Sequence, residues 1–506
     1  MHLVSAAVAA FINTMQNVNG TPSIKMEDLI LNRTTLHSMR RDYCRRQAQE
    51  IINGFNIPDV FVLHWDSKLL AEIRGTEKKD RLSLVVTGEN MEKLLGIPKI
   101  ESSTGDARAA EIHNFLCKWK LNDLVEIVSF DTTAANNGAA FLLEKRLGRN
   151  LLLFPCRHHV SELLVKAVFE LNFGKSSAPE VPLFNRFSNS WKNINSKSFK
   201  SGISENEVRK VFTIAEVEIF KNFCLTALNS HHTCANYKEL LQLSLLFVGE
   251  DVPNFSQVRS PGATSHARFM SKCLYCYKMF LFREQFVLTT SEIKSLRSVC
   301  IFLTCIYVPY WFRCVDPIAA PQNDLKLIQD VIVYFDKNVS NAWLHKIKNH
   351  LCYLSEEADG LSFFDGPIHS HSKRKMVEAI TSDNQKEDAI PKRVVATMSE
   401  ITLYGSKNIN DFISSRTKTF FTRLGIETSF LESDPSTWQE SEGYIAGKRI
   451  CQLLSVVNDA AERALKLITD YNRSLTYNEE EEQYLLQVVE HYRQWHPSYT
   501  KTSLIK

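Results

Sequence analysis

Glycine and proline are both scarce in this chain, which has 18 glycines and 15 prolines among 506 residues. Average proteins use about 7% glycine and about 5% proline. Because these two residues mark turns and loops, their scarcity predicts few loops and many long helices. It also excludes collagen-like and Gly/Pro-rich disordered chains, and the 44% of hydrophobic residues is sufficient to bury a core.

A strong net charge and a disulfide framework are also lacking. Lysine and arginine number 60 against 57 aspartates and glutamates, which gives a formal net charge of +3. Any nucleic acid would therefore contact local basic patches, because the protein as a whole is close to neutral. The 12 cysteines are scattered and lack the dense spacing of small secreted domains, so we expect reduced thiols in the cytosol or nucleus.

Neither a signal peptide nor a membrane span is predicted. The opening sequence "MHLVSAAVAAFINTMQN" has a short apolar stretch, but no Lys or Arg precedes it, unlike a secretory signal. The longest apolar run lies between Arg297 and Arg313 and contains Pro309. At about 15 residues this run is short for a membrane span. We expect a buried core helix there and no membrane partner.

The hydrophobic period changes along the chain and divides it into four segments. At about 150 residues per domain, the length corresponds to roughly three packing units. A spacing of three to four residues, typical of helices, dominates after Val160. The predicted units are an N-terminal helical segment, a first part of an α/β core, a helical insertion and C-terminal helices that complete the core, which cover 1–58, 59–170, 171–436 and 437–506.

The second segment alternates between strands and helices. Strands are predicted by the runs "FVLHW", "RLSLVVTGE", "KLLGIPKI", "DLVEIVSF" and "LLLFPC", and helical patterns separate the last three. Three consecutive strands indicate a meander, whereas crossover helices return the chain in the same direction and indicate parallel pairing. The predicted fold class is therefore α/β: a mixed sheet in the strand order of the ribonuclease H fold, with a large all-helical insertion domain.

Two aspartates stand at the ends of apolar strands. Asp66 follows the first predicted strand and Asp131 follows the fourth. In a ribonuclease H-like sheet these strands are adjacent, so the two carboxylates would meet. Like charges that close resist joint ionisation unless a cation lies between them, and Mg²⁺ prefers oxygen ligands. The other interpretation is that each aspartate only caps a strand.

A third carboxylate would have to come from the C-terminal part of the chain. Glu462 lies in "SVVNDAAERALKLI", which predicts an amphipathic helix whose apolar face includes Val457, Leu465 and Ile468. Two aspartates and one further carboxylate can hold two metal ions for in-line phosphoryl transfer. A solvated glutamate on an amphipathic helix is the alternative.

Together, Asp131, the "CRHH" that follows it and the late "NDAAERALKLI" resemble the hAT-type DDE transposases. In that family an Asp ends the fourth strand, a Cys-x-x-His follows on the next strand, and a late helix carries Ser-Glu-Arg. Cys156 and His159 match the Cys-x-x-His. The chain resembles above all uncharacterised, transposase-derived open reading frames of invertebrate genomes.

The late helix matches the family in part. Glu462 and Arg463 match its Glu-Arg, whereas Ala461 stands in place of the Ser, and Asp66 matches the first Asp by strand position only. The family also places a large helical domain between the fifth strand and the Glu helix, which agrees with the helical middle of this chain.

The resemblance implies a metal-dependent DNA strand-transfer site. Asp66, Asp131 and Glu462 would hold Mg²⁺ or Mn²⁺, and water and then a DNA 3′-hydroxyl would act as nucleophiles. Cys156, His159 and Arg463 would support the site, with His159 ending its strand to brace it. DNA would be the partner, with a possible homo-oligomer, in the nucleus.

A second element of the resemblance concerns DNA binding. The family carries an Arg-Trp in its insertion domain, and the indole stacks on a flipped base. Here "SHARFM" supplies Arg268 and Phe269, with Phe in place of Trp. A phenyl ring can stack on a base over a smaller area. Phe269 could equally be a core residue on a helical face.

One departure from the family leaves the activity open. The family usually begins with a BED-type zinc finger, but the first hundred residues contain one cysteine, Cys44, so this finger cannot be built. The chain could be a truncated active copy or a domesticated or decayed copy that binds DNA or protein without chemistry. An unrelated helical scaffold with accidental motif matches is a further alternative.

Overall fold

The computed structural model describes residues 33–71, 78–175, 181–230, 235–262, 269–382, 394–471 and 478–496. Within these ranges the protein is a mixed α/β structure built on one six-stranded sheet. The predicted α/β class is therefore confirmed. No disulfide joins the cysteines of the described ranges.

The sheet combines an antiparallel meander with a parallel half. Its strands are β1 Phe61–Ala71, β2 Lys78–Gly88, β3 Met91–Gly96, β4 Lys99–Ile100, β5 Ile127–Phe130 and β6 Leu152–Pro155. The order is β3-β2-β1-β5-β6, and β4 pairs with β2. Strands β1, β2 and β3 pair antiparallel, while β1, β5 and β6 pair parallel. The predicted meander and the predicted parallel pairing are both present.

Two crossover helices cover one face of the sheet. They are α2 Gly105–Lys118 and α3 Ala134–Leu147, and their N-termini are capped by the side chains of Thr104 and Thr133. Each threonine oxygen accepts a backbone N–H that would otherwise lack an intrahelical partner. Alternating strand residues such as Leu63, Trp65 and Phe130 point into the core beneath these helices.

The opposite face is covered by helices from distant parts of the sequence. They are α4 Arg157–Phe173, α18 Asp459–Tyr471 and α19 Glu479–Trp495. Leu465 and Ile468 of α18 pack in one cluster with Val85 of β2. Helix α1 Arg33–Asn53 approaches α19, where Arg41 pairs with Glu481 at 3.6 Å.

The described residues between β6 and α18 contain helices and no strand. The helices that follow α4 are α5 Pro182–Ser190, α6 Asn206–Arg209, α7 Ile214–Leu228, α8 Ala235–Phe247, α9 Met270–Leu281, α10 Thr290–Phe302, α11 Val308–Arg313, α12 Ala320–Val333, α13 Lys337–Ile347, α14 Ser370–Thr381, α15 Met398–Leu403, α16 Lys418–Arg423 and α17 Glu442–Gln452. Their largest core is continuous with the sheet, because it includes Val62, Ile127 and Phe154. Whether the four sequence segments are separate domains stays a prediction.

A π-helical turn, Leu303–Tyr307, joins α10 to α11. The resulting stretch, Thr290–Arg313, is the one helix in the described ranges that is long and apolar enough to cross a membrane. Within its most apolar window, 61% of the residues are buried inside the protein. Core helices pass the same test of length and composition.

Candidate functional site

Asp66 and Asp131 follow the last paired residues of two neighbouring parallel strands. The β1–β5 register ends with Trp65 opposite Phe130, whose rings stack at 4.7 Å on the α2–α3 face. Side chains alternate along a strand, so Asp66 points to the other face, the same one as His64. The two aspartates therefore lie at the same edge of the parallel half, as the sequence predicts.

Two details of the strand assignment differ from the sequence prediction. Asp66 does not end β1, because β1 continues to Ala71 in antiparallel pairing with β2. Only the parallel pairing of β1 with β5 ends before Asp66. His159 does not end a strand either, since β6 stops at Pro155 and His159 lies in the first turn of α4. The sequence predicts a strand that reaches His159, but the strand stops at Pro155 and a helix begins at Arg157.

Asp131 is held in contact with His159. Its Oδ2 atom lies 3.2 Å from Nδ1 of His159, and both side chains are about one fifth exposed. The Asp131 carbonyl accepts a hydrogen bond from Nδ2 of Asn136 at 3.0 Å. Asp131 is thus fixed by its backbone and by its side chain, and the imidazole can act as a brace for the carboxylate.

Cys156 acts as a buried hydrogen-bond acceptor at the start of α4. Its Sγ atom accepts the backbone N–H of His159 at 3.4 Å and that of Asn458 at 3.1 Å. The thiol therefore caps α4 and fixes the chain just before α18. This position is consistent with the supporting role that the resemblance implies.

Asn458 joins α18 to the sheet and is not among the site residues that the sequence predicts. Its Nδ2 donates to the Trp65 carbonyl at 2.8 Å, and its Oδ1 lies 3.2 Å from Nδ1 of His64. One buried amide thus holds the end of the parallel pairing and the start of the late helix. A polar residue directly before a strong helical pattern was the available signal, because such residues cap or anchor helix starts.

Glu462 lies in the first turn of α18 and is half-buried. The residue before it, Ala461, has a carbonyl 2.7 Å from the Ser83 hydroxyl, and that hydroxyl also lies 3.2 Å from the Asp66 carbonyl. A single serine therefore links the backbones beside Glu462 and Asp66. The late helix reaches the edge at which the two aspartates stand.

Arg463 makes its ion pair with the meander. Its guanidinium lies 2.5 Å from Oε2 of Glu92 on β3, and both side chains are about two fifths exposed. Any supporting role of Arg463 would act through the placement of α18 against β3.

Phe269 precedes α9 and is half-buried, whereas Arg268 lies outside the described residues. The Phe269 ring meets Phe169 of α4 edge-on at 5.5 Å, and Nζ of Lys272 lies 4.5 Å from the ring centre. Phe169 is ten residues beyond His159 on α4, which is about 15 Å along the helix axis. A cation is close to Phe269, but base stacking stays a prediction.

Two buried histidines flank the start of α18. Burial lowers the pKa of His64 to about 4, so this ring is neutral at neutral pH. For His158, burial disfavours the charged ring, but Cys314 and the Asp459 carboxylate favour it, and the pKa rises to about 10. Nδ1 of His158 lies 3.0 Å from Oδ1 of Asp459. Neither ring is among the site residues that the sequence predicts.

The donor chemistry of the carboxylate edge suits Mg²⁺ or Mn²⁺, since both prefer oxygen ligands. Among the residues that the structure describes, however, no group of three His, Cys, Asp or Glu side chains is arranged to hold a metal ion. Asp66, Asp131 and Glu462 therefore do not form a ready-made site. In comparisons with known proteins, no family model and no curated sequence matches the chain.

Proposed function

We propose that this chain derives from a hAT-like DDE transposase with a ribonuclease H-like core, and that it cleaves and joins DNA strands. The main support is the strand order β3-β2-β1-β5-β6 together with the shared edge of Asp66 and Asp131. A late helix, α18, returns to this edge after a long helical stretch and carries Glu462. This combination matches the resemblance on which the proposal rests.

In this proposal Asp66, Asp131 and Glu462 provide oxygen ligands for Mg²⁺ or Mn²⁺. When bound, the ion would neutralise phosphate charge and activate water. The protein's own part is to position these carboxylates. His159 orients Asp131, while Asn458 and Ser83 fix α18 against β1. Water and then a DNA 3′-hydroxyl would be the nucleophiles.

DNA is the proposed partner, in the nucleus and with a possible homo-oligomer. Because the net charge is only +3, binding must depend on local cations. Lys272 beside Phe269 is one such cation on the helical part of the protein. Arg268 and Phe269 are proposed to contact a DNA end.

A second candidate function is DNA or protein binding without chemistry. It is favoured by the lack of a ready-made metal group in the described ranges and by the engagement of Asp131 with His159. A copy that has lost activity can retain its fold and its binding surfaces, since the fold does not depend on the reaction.

Metal binding and plasmid nicking separate the two candidates. Mn²⁺ binding is measured by calorimetry, and nicking of supercoiled DNA is measured with Mn²⁺ present. The test variant is Asp131→Asn, and the matched control is Asp106→Asn on exposed α2, at the other face of the sheet. We expect the parent and the control to bind Mn²⁺ and nick DNA, and Asp131→Asn to bind at least about tenfold more weakly, since it removes a charged ligand.

Equal Mn²⁺ affinity in the parent and Asp131→Asn would overturn the catalytic proposal. DNA binding in the absence of Mn²⁺ binding and nicking would support the non-catalytic function.

A further inference from the structure

A cavity of about 270 Å³ lies in the helical part of the protein, between α7, α11 and α12. This volume is just below the range of about 300–1,000 Å³ that is typical of small-molecule sites, so the cavity suits a ligand of one or two rings. Much of its lining is apolar and includes Phe212, Ile219, Phe220, Phe223 and Pro309.

The π-helical turn Leu303–Tyr307 forms one wall of the cavity, to which it contributes Thr304, Cys305 and Ile306. Pro309 follows in α11, and it cannot donate to a carbonyl of the preceding turn because it has no backbone N–H. The regular helical hydrogen-bond pattern is therefore interrupted at this wall. Single π-helical turns within α-helices are frequent at functional sites.

The apolar lining extends from the protein surface into the interior. Ile219 is 66% exposed, and the rings of Phe212 and Phe223 are half-buried. Phe220 and Leu327 are buried. An apolar ligand body can therefore enter from solvent and exchange water for contacts with these side chains, which is favourable.

Four charged residues line the cavity, and three of them are already engaged within the protein. Nζ of Lys326 donates to the Asp330 carboxylate one helical turn further along α12. Oε2 of Glu216 accepts the backbone N–H and the hydroxyl of Thr213, each at 2.8 Å. The fourth, Arg313, has no carboxylate within ion-pair distance among the residues that the structure describes.

Arg313 is exposed at the end of α11. Its guanidinium carbon lies 5.0 Å from the centre of the Phe223 ring, which itself lines the cavity. The Arg313 carbonyl accepts a hydrogen bond from Nδ2 of Asn323 at 3.4 Å, which ties the end of α11 to α12. The cavity thus has one accessible cation beside an aromatic wall.

We propose that this cavity binds a small aromatic molecule with a single carboxylate. The ring lies among the apolar side chains, and the carboxylate pairs with the Arg313 guanidinium, which can donate two parallel hydrogen bonds to it. A second acidic group would meet the carboxylates of Glu216 and Asp330, so the ligand is a monoanion. The site is independent of the proposed DNA chemistry, because none of the three carboxylates of that proposal lines it.

The probe is 2-naphthoate, which has two fused rings and one carboxylate that is ionised at neutral pH. Its amide, 2-naphthamide, has the same rings and no charge. Calorimetric titration of the full chain with each compound measures both affinities. We expect saturable, one-to-one binding of 2-naphthoate, and binding of 2-naphthamide at least about tenfold more weakly, as for the loss of a hydrogen bond to a charged group. High salt should weaken the binding of 2-naphthoate alone, since Arg313 is exposed.

Two arginine variants isolate the ion pair. Arg313→Met removes the guanidinium but keeps most of the apolar stem, and we expect it to bind 2-naphthoate about tenfold more weakly. Its affinity for 2-naphthamide should be unchanged. The matched control is Arg186→Met, which alters an exposed arginine that also lies over a ring, Phe286 at 5.2 Å, but outside the cavity. It should bind both compounds like the parent.

A third variant, Val211→Trp, fills the cavity from the segment before α7 and should abolish binding of both compounds. It keeps the proposal testable if Arg313→Met does not fold, which circular dichroism would reveal. The proposal is overturned if the parent shows no saturable binding of 2-naphthoate or binds the amide as tightly. Parental affinity for 2-naphthoate in Arg313→Met or in Val211→Trp would overturn it as well, and equal weakening of both compounds by Arg313→Met would overturn the ion pair.

Discussion

His64 and His158 are both fully buried beside the start of α18, yet their pKa values move in opposite directions, to about 4 and about 10. Part of the difference comes from two neighbouring residues of the sequence. His64 faces the neutral amide of Asn458, and His158 faces the carboxylate of Asp459. Burial acts against the charged form of both rings, but for His158 the interactions with Cys314 and then with the Asp459 carboxylate outweigh it.

The hydrogen-bond partners agree with these charge states. Nδ1 of His158 faces Asp459 and its Nε2 lies 3.2 Å from the Trp311 carbonyl, so both ring nitrogens face acceptors. A doubly protonated ring satisfies this arrangement. For His64, Nδ1 faces the Asn458 oxygen and Nε2 lies 2.8 Å from the Thr87 hydroxyl, which can donate. A neutral His64 ring with its proton on Nδ1 satisfies both of these contacts.

The largest expected effect comes from removing the carboxylate. Asp459→Asn leaves His158 without its charge partner and also weakens the Tyr237 hydroxyl contact of 3.0 Å. Breaking a buried ion pair costs about 3–5 kcal/mol, and we expect a loss of that order in the free energy of unfolding. Urea denaturation at pH 7 measures it, with Asp106→Asn as the control. A loss under about 1 kcal/mol, the range of an exposed pair, would contradict the charged state of His158.

The next effect is a pH dependence with opposite slopes. For His158 the folded pKa is raised, so its stabilisation is complete below about pH 6.5 and is lost as pH rises towards about 10. For His64 the folded pKa is lowered, so stability is lost as pH falls from about 6.5 to about 4. Between about pH 6.5 and about pH 4, His64→Gln should lose about 3 kcal/mol less unfolding free energy than the parent, at about 1.4 kcal/mol per pKa unit.

Histidine resonances titrated by NMR provide the check for both rings. The His64→Gln profile should keep its alkaline slope, which serves as the internal control. If His64→Gln loses as much stability in acid as the parent does, that loss comes from other titratable groups.

These contrasts also mark the limits of sequence reasoning. The strand order and the shared edge of Asp66 and Asp131 were predictable, because strand periods and crossover helices restrict the topology. The position of His159 was missed because an apolar run gives no sign of where a strand becomes a helix. Asn458 and Asp459 stand side by side in the sequence, and only the packing of α18 reveals that one faces the sheet and the other faces His158.

Asp359 is a third buried titratable residue, and among the described residues it has neither an amide nor a charged group as a hydrogen-bond partner. It is fully buried, and both carboxylate oxygens lack a hydrogen-bond partner among the described residues. Burial, then the nearby Glu356 and Asp324 carboxylates, raises its pKa well above the ordinary value. For an acid with a raised pKa, stability falls as pH rises above the unfolded value, because the folded state must keep its proton.

Asp359→Asn should therefore stabilise the protein at pH 8, because an amide needs no proton in the folded state, by about 1.4 kcal/mol for each unit by which burial raises the pKa of Asp359. The gain should disappear at about pH 4, near the ordinary carboxyl pKa, where the wild-type side chain is protonated in both states. Thermal unfolding at the two pH values measures the difference. A destabilised variant at pH 8 would indicate that the carboxylate has a partner in the folded protein.

The smallest expected effect concerns Arg463 and Glu92, the exposed counterpart of the His158–Asp459 pair. Both side chains are about two fifths exposed, so water screens their attraction and the pair contributes about 0–1 kcal/mol. Arg463→Met keeps most of the apolar stem and should change the urea midpoint little, and less still in high salt. If it destabilised the protein as much as Asp459→Asn, exposure would not be what separates the two pairs. Arg463 would then have a further role in holding α18 against β3.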